Sequence, residues 1–236
     1  MFPLRDSIPV RTVSFITWTI IALNCAVFLL ELSLEPDMLD PFVKEFGFVP
    51  SQLSTHTARL GLLSVFSAMF MHGGWGHLLG NMWFLHIFGN NIEDRLGHMR
   101  YLFLYLVTGC GAAFLQFIIA PASPVPMIGA SGAISGVLGA YLVFYPRSTV
   151  TTFIPLGLFS RIIEVPAAFY LGIWFLMQLL TGVSSLGGAE AQAGGVAFFA
   201  HVGGFVAGLL LCRLLDPGER NSPPRYHYSD YNDWTE

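Results

Sequence analysis

The chain has 236 residues, 54% hydrophobic and 11% charged, with a mean hydropathy of +0.61. A soluble domain carries about 25% charged residues, so the composition excludes an ordinary soluble enzyme and points to a polytopic membrane protein. The net charge of −4 offers no basic surface for nucleic acid.

The expected organisation is a short N-terminal tail over 1–13, a six-helix membrane domain over 14–215 and a polar C-terminal tail over 216–236. The first apolar run, Ser14 to Leu32, is long enough to span and reads as a helix, with no cleavable signal peptide before it. Residues from Glu35 to about Leu60 are mixed and contain proline, yet carry Phe42, Phe46, Phe48 and Val49, a composition suited to the membrane interface. The second span runs from Trp75 to Ile92 and ends in Glu93-Asp94-Arg95, read as a solvated helix end. The third runs from Tyr101 to Ile119, the fifth from Val165 to Leu180 and the sixth from Val196 to Leu215. Cys25, Cys110 and Cys212 lie far apart in apolar segments, without CxxC or metal spacing, and read as small apolar residues.

The fourth span differs from the others. Met127 to Tyr141 reads MIGASGAISGVLGAY, preceded by a proline-rich stretch that cannot be helix interior. A helix from Ser131 to Tyr145 measures only about 22 Å at 1.5 Å per residue, against a hydrocarbon core of about 30 Å. Its N-terminus therefore starts below the membrane surface, with Ser131 at that end. A buried helix N-terminus offers unpaired N–H groups and partial positive charge. Such a place suits a serine that attacks a carbonyl and leaves an oxyanion. The alternative for Ser131 and the glycines around it is close helix packing through small residues.

Polar side chains inside spans are candidates for function. His201 opens HVGGFVAG, with Gly204 and Gly208 on its own helix face. Matching small residues at Gly132, Gly136 and Ala140 would let the fourth and sixth helices approach closely, bringing His201 beside Ser131 as a general base. His77 and Asn81, four apart, share a face near the same depth and are candidate oxyanion donors with the Ser131 N–H. The plainer reading of these polar residues is hydrogen bonding between helices. His72 precedes Gly73-Gly74 and reads as a loop-holding residue, while His86 faces away from His77. Nine of the eleven arginines and lysines fall at the same side of the six spans. The positive-inside rule then puts both termini in the cytoplasm and Ser131, His77 and His201 toward the outer face.

Together HGGWGHLLGNMWFLHIFGNNIEDRLG, GASG and AHVGGFVAG resemble the rhomboid intramembrane serine proteases, in order and over residues 14 to 215. The resemblance implies an all-α, six-helix membrane fold and a serine endopeptidase that cleaves single-span membrane proteins in or near the bilayer, without a cofactor or metal. It implies Ser131 as nucleophile, His201 as base, His77 and Asn81 as oxyanion donors and His72 as a structural histidine. Gly129 and Gly132 flank the serine, and Gly204 and Gly208 follow the histidine. It also implies a membrane-embedded hairpin after the first span, substrate gating at the fifth helix or its loop, and a cell membrane of bacterial type. Some members carry an aromatic residue four after the serine, stacked on the histidine; here it is Ser135. The first loop also lacks the Trp-Arg pair found in some members. Two rival readings are a non-catalytic rhomboid-like protein that binds clients, and a haem or metal protein using His72, His77, His86 and His201.

Overall fold

The computed structural model describes residues 1–55, 60–185 and 197–218. Arg59, the expected start of the sixth span at Val196 and the tail from residue 219 onward, including Arg220 and Arg225, lie outside the described residues.

Strand β1 (Phe2–Asp6) precedes helix α1 (Phe15–Ser33). The segment after α1 folds as α2 (Pro36–Phe46), α3 (Pro50–Ser54) and α4 (Ser64–Ala68). The second span is one helical rod made of α5 (Trp75–Phe84), a π-helical turn at Leu85–Gly89 and α6 (Asn90–Leu96). Then come α7 (His98–Ile119), the serine helix α8 (Ser131–Phe144), strands β2 (Thr149–Ile154) and β3 (Arg161–Pro166), α9 (Ala167–Ser185) and α10 (Phe198–Leu215). Helices α1, α7, α9 and α10 are each long and apolar enough to cross a membrane. With the α5–α6 rod and the short apolar α8, this agrees with a six-helix membrane fold.

Helix α8 is the centre of the bundle. All its residues from Ala133 to Tyr141 are buried, because α7 and α10 pack against it through small residues. A Cβ at Gly204 would fall on the Gly132 carbonyl oxygen, and one at Gly208 on the Gly136 carbonyl oxygen. Backbone therefore meets backbone along the α8–α10 contact, as small residues permit in a membrane. At 14 residues, α8 is about 21 Å long, too short to reach both surfaces of a core about 30 Å thick.

The opposite end of α8 from Ser131 carries a feature absent from the sequence expectation. Strands β1, β2 and β3 form an antiparallel sheet in that order, with Val150 opposite Asp6 on one side and Val165 on the other. The fifth span therefore starts at Ala167, since Val165 belongs to the sheet. Burial pushes the Asp6 carboxyl up to about 6, against hydrogen bonds donated to it by Tyr141 Oη and Asn91 Nδ2, each at 2.6 Å.

The second correction concerns the Glu93-Asp94-Arg95 end of the rod. Glu93 is 1% exposed. It accepts the N–H groups of Ile16 (2.8 Å) and Thr17 (2.7 Å) and the Thr17 hydroxyl (2.7 Å), and it meets His98 Nδ1 at 2.6 Å. A carboxylate from a distant helix thus caps the orphan donors at the start of α1. Arg95 pairs with Asp216 at 2.7 Å beyond the end of α10 and lies over the Phe144 ring. These are packed ties between spans rather than a solvated helix end. They put the start of α1 and the ends of α8 and α10 on one face of the bundle, where Asp6 at the end of β1 also meets Tyr141 and Asn91.

Candidate active site

The approach to Ser131 is pinned before the helix begins. Phe48 and Met127 exchange backbone hydrogen bonds at 3.1 and 2.8 Å, and the Gly129 N–H donates to the Ala68 carbonyl at 2.8 Å. Gly129 sits at φ +122°, a conformation open to glycine. A Cβ there would lie 2.7 Å from His77 Nε2 and 3.6 Å from Asn81 Nδ2. Gly129 thereby passes directly against the two side chains of α5. Ser131 then starts α8, so its N–H has no acceptor within the helix.

The Ser131 Oγ and His201 Nε2 are 2.8 Å apart. The glycine contact between α8 and α10 is what sets that distance, since Gly132 and Gly204 meet one residue from the serine and three from the histidine. On its far side the His201 ring meets Gln178 of α9, with Nδ1 to Oε1 at 2.7 Å. The Trp174 ring, one helical turn before Gln178, lies 6.1 Å from the His201 ring and tilts by 36°. His201 itself is only 8% exposed.

A cavity of about 260 Å³ brings together Ser131, His201, His77, Asn81, Trp174 and Gln178. Asn81 is buried and its Nδ2 lies 3.0 Å from His72 Nε2. An amide nitrogen carries two hydrogens, so with one given to His72 the second remains for a ligand in the cavity. His72 is buried, and its backbone N–H donates to the Glu31 carboxylate at 3.1 Å. His77 is more open and edges onto the His72 ring at 5.0 Å. His86 lies outside this group, exposed and 5.2 Å from the Trp18 ring.

The sequence reading placed Ser131, His201, His77, Asn81 and His72 in one neighbourhood, and they meet there. Both His201 nitrogens have side-chain partners, His72 Nε2 faces an amide and His86 is remote; among the described residues no three His, Cys, Asp or Glu side chains group as metal ligands would. Ser135, four residues after Ser131, donates its hydroxyl to the Ser131 carbonyl at 2.6 Å. The sequence reading missed Gln178, Trp174 and Glu31. Gln178 and Glu31 each had a signal, a polar side chain within an apolar span.

The Rhomboid domain profile matches residues 59–217. Rhomboid-like protein 11, chloroplastic, of Arabidopsis thaliana is 30% identical over 156 residues, covering 63% of this chain and 51% of that protein. RHOMBOID-like protein 5 of the same plant is 28% identical over 188 residues, covering 79% and 54%. Rhomboid protein 1, mitochondrial, of Saccharomyces cerevisiae is 27% identical over 153 residues, covering 63% and 40%. The chain thus spans about half the length of the two plant relatives and less of the yeast one. Intramembrane proteolysis is the typical activity among proteins with this domain. With the profile covering more than half of its length, the chain belongs to the rhomboid family of membrane proteins.

Proposed function

We propose that the protein is a serine endopeptidase that cleaves single-span membrane proteins in or near the bilayer, using Ser131 and His201 as a dyad. The observation that carries this reading is the 2.8 Å approach of Ser131 Oγ to His201 Nε2 at the start of a buried helix. His201 Nε2 takes the hydroxyl proton as Oγ attacks the scissile carbonyl carbon. The oxyanion that forms is met by the Ser131 N–H, the second Asn81 amide hydrogen and His77. Collapse of the tetrahedral intermediate transfers the proton from His201 to the leaving amine and leaves an acyl-serine. Water, activated by the same histidine, then hydrolyses the ester. Carbonyls of a substrate helix are hidden in its own hydrogen bonds, so the substrate must unwind locally before it fits.

The reading places both termini in the cytoplasm. Of the eight basic residues among the described ones, all but Lys44 flank the sheet-bearing ends of the spans, and the positive-inside rule turns that face inward. The dyad then opens to the outer face of a cell membrane of bacterial type.

Labelling with a fluorophosphonate probe, together with cleavage of a single-span reporter in reconstituted vesicles, tests the function. The wild type should label and cleave, and Ser131→Ala should do neither. Cleavage retained by folded Ser131→Ala would refute the mechanism. Terminal tags digested from outside right-side-out vesicles would refute the orientation.

A further inference from the structure

We propose that Gln178 is a positioning residue for the base: it holds the His201 tautomer whose free nitrogen faces Ser131, so that α9 sets the orientation of the base. The proposal rests on the dyad reading above.

A neutral imidazole has one donor and one acceptor nitrogen. Gln178 Oε1 only accepts, and it lies 2.7 Å from His201 Nδ1. That pairing requires the proton on Nδ1, which leaves the Nε2 lone pair aimed at Ser131 Oγ, 2.8 Å away. The opposite tautomer would put a hydrogen on Nε2 and could not receive the serine proton. A third group that fixes the base in this way is the general logic of an activated nucleophile.

The rest of the ring's surroundings assign this task to α9. Apart from Ser131 itself, α8 offers the ring no hydrogen-bonding side chain, because the hydroxyl of Ser135 is used on the Ser131 carbonyl at 2.6 Å. Trp174 lies beside the ring from α9 and also packs on Phe205 at 5.9 Å. Trp174 and Gln178 are four residues apart and so share one face of α9. The other face carries Phe169, Leu176, Met177, Leu180 and Val183, all at least half exposed. The helix that orients the base is thus a peripheral one. Helices α8 and α10, which set the distance between nucleophile and base, are locked to each other through backbone. A segment entering the cavity beside α9 would meet the residues that hold the histidine.

The charged environment is simple. The ionisable side chain facing His201 across the cavity is His77 of α5, while α8 and α9 present Ser131, Ser135, Trp174 and Gln178. Among the described residues, no carboxylate, lysine or arginine lines that cavity.

The test uses the full chain in vesicles, with kcat and KM for a single-span reporter measured across pH for wild type, Gln178→Leu and Gln178→Glu. Fluorophosphonate labelling and thermal unfolding are followed in parallel. Gln178→Leu keeps the side-chain size and removes the acceptor. It should lose at least about tenfold in kcat with KM within about twofold, as expected for a contribution of general-base quality. Gln178→Glu keeps an accepting oxygen and adds a negative charge. It should recover kcat at high pH and move the acid limb of the kcat profile upward by about one pH unit, since a carboxylate favours the imidazolium. A merely structural role would lower unfolding temperature without moving that limb. If the wild type cleaves and labels while Gln178→Leu stays within twofold in kcat, or Gln178→Glu leaves the limb in place, the proposal fails alone. If the wild type neither cleaves nor labels, the dyad reading and the proposal fail together.

Discussion

Replacing Gly204 by alanine adds a single methyl group where the α8 backbone already stands. The new Cβ would fall on the Gly132 carbonyl oxygen, with the Gly132 carbonyl carbon at 3.0 Å and Ser135 Cβ at 3.4 Å. None of these atoms is the end of a flexible side chain that could swing away, so the two helices must part. Restoring an ordinary contact calls for a displacement on the order of 1 Å, given an optimum near 3.5 Å for heavy-atom pairs. The Ser131–His201 pair has less slack than that. It stands at 2.8 Å, and a side-chain pair at about 3.6 Å is no longer a hydrogen bond. Overpacking of this kind costs about 1–3 kcal/mol, and misplacement of reacting groups by about 1 Å costs roughly a hundredfold in rate. Gly204→Ala should therefore lose about a hundredfold in cleavage and most fluorophosphonate labelling, with a measurable fall in unfolding temperature. Gly172→Ala on α9 is the control, because a Cβ there meets nothing within 4 Å, and it should keep activity. Wild-type cleavage by Gly204→Ala would refute the argument that the glycine contact sets the dyad distance.

Ser135→Ala removes only a hydroxyl already bonded to the Ser131 carbonyl, so cleavage should stay within about threefold of wild type, whereas a dead variant would mean that Ser135 is the nucleophile. Glu93→Gln keeps one accepting oxygen and replaces the other with an NH2 donor that faces the donors of α1; a loss of about 2 kcal/mol is expected by steric trapping or denaturant titration, and unchanged stability would show that the cap does not hold α1. Asp6 has its folded value raised to about 6 from 3.8, so its contribution to stability is full below about pH 4 and is lost as pH rises through 6. Asp6→Asn should flatten that part of the pH–stability curve relative to wild type, by up to about 3 kcal/mol, and parallel curves for the two proteins would refute the assignment.

The motifs around Ser131 and His201 were legible because membrane segments make polar residues conspicuous and make small residues meaningful. Gly132, Gly136, Gly204 and Gly208 read as a close helix contact, and backbone does meet backbone there. The shortness of α8 followed from counting residues from Ser131 to Tyr145. Other features depend on partners far away in sequence. Glu93 looked like a solvated helix end because a carboxylate after an apolar span usually meets water; its real partners, Ile16 and Thr17, lie 77 and 76 residues earlier. The sheet had a local signal in Thr149-Val-Thr-Thr-Phe-Ile and Arg161-Ile-Ile-Glu-Val, both rich in β-branched residues. What the sequence could not supply was the third strand, drawn from the N-terminal tail.

The absence of an aromatic residue at position 135 shows how one site can keep its geometry by another route. The His201 ring needs a flat neighbour and an acceptor for Nδ1. An aromatic side chain on α8 would tie the ring to the same helix that carries the nucleophile. Here the flat neighbour is Trp174 and the acceptor is Gln178, both on α9. Distance and orientation are thus set by different contacts. The separation of serine and histidine is fixed where α8 and α10 touch through backbone, a contact with little freedom to change. The direction in which the ring nitrogen points depends on a helix whose other face is apolar and exposed. Motion of α9 can turn the base without altering the spacing of the helices that carry the dyad, whereas motion of α10 would do both. On the proposed dyad reading, the space beside α9 therefore borders the residues that orient the histidine, while the contact that spaces it from the serine lies between α8 and α10.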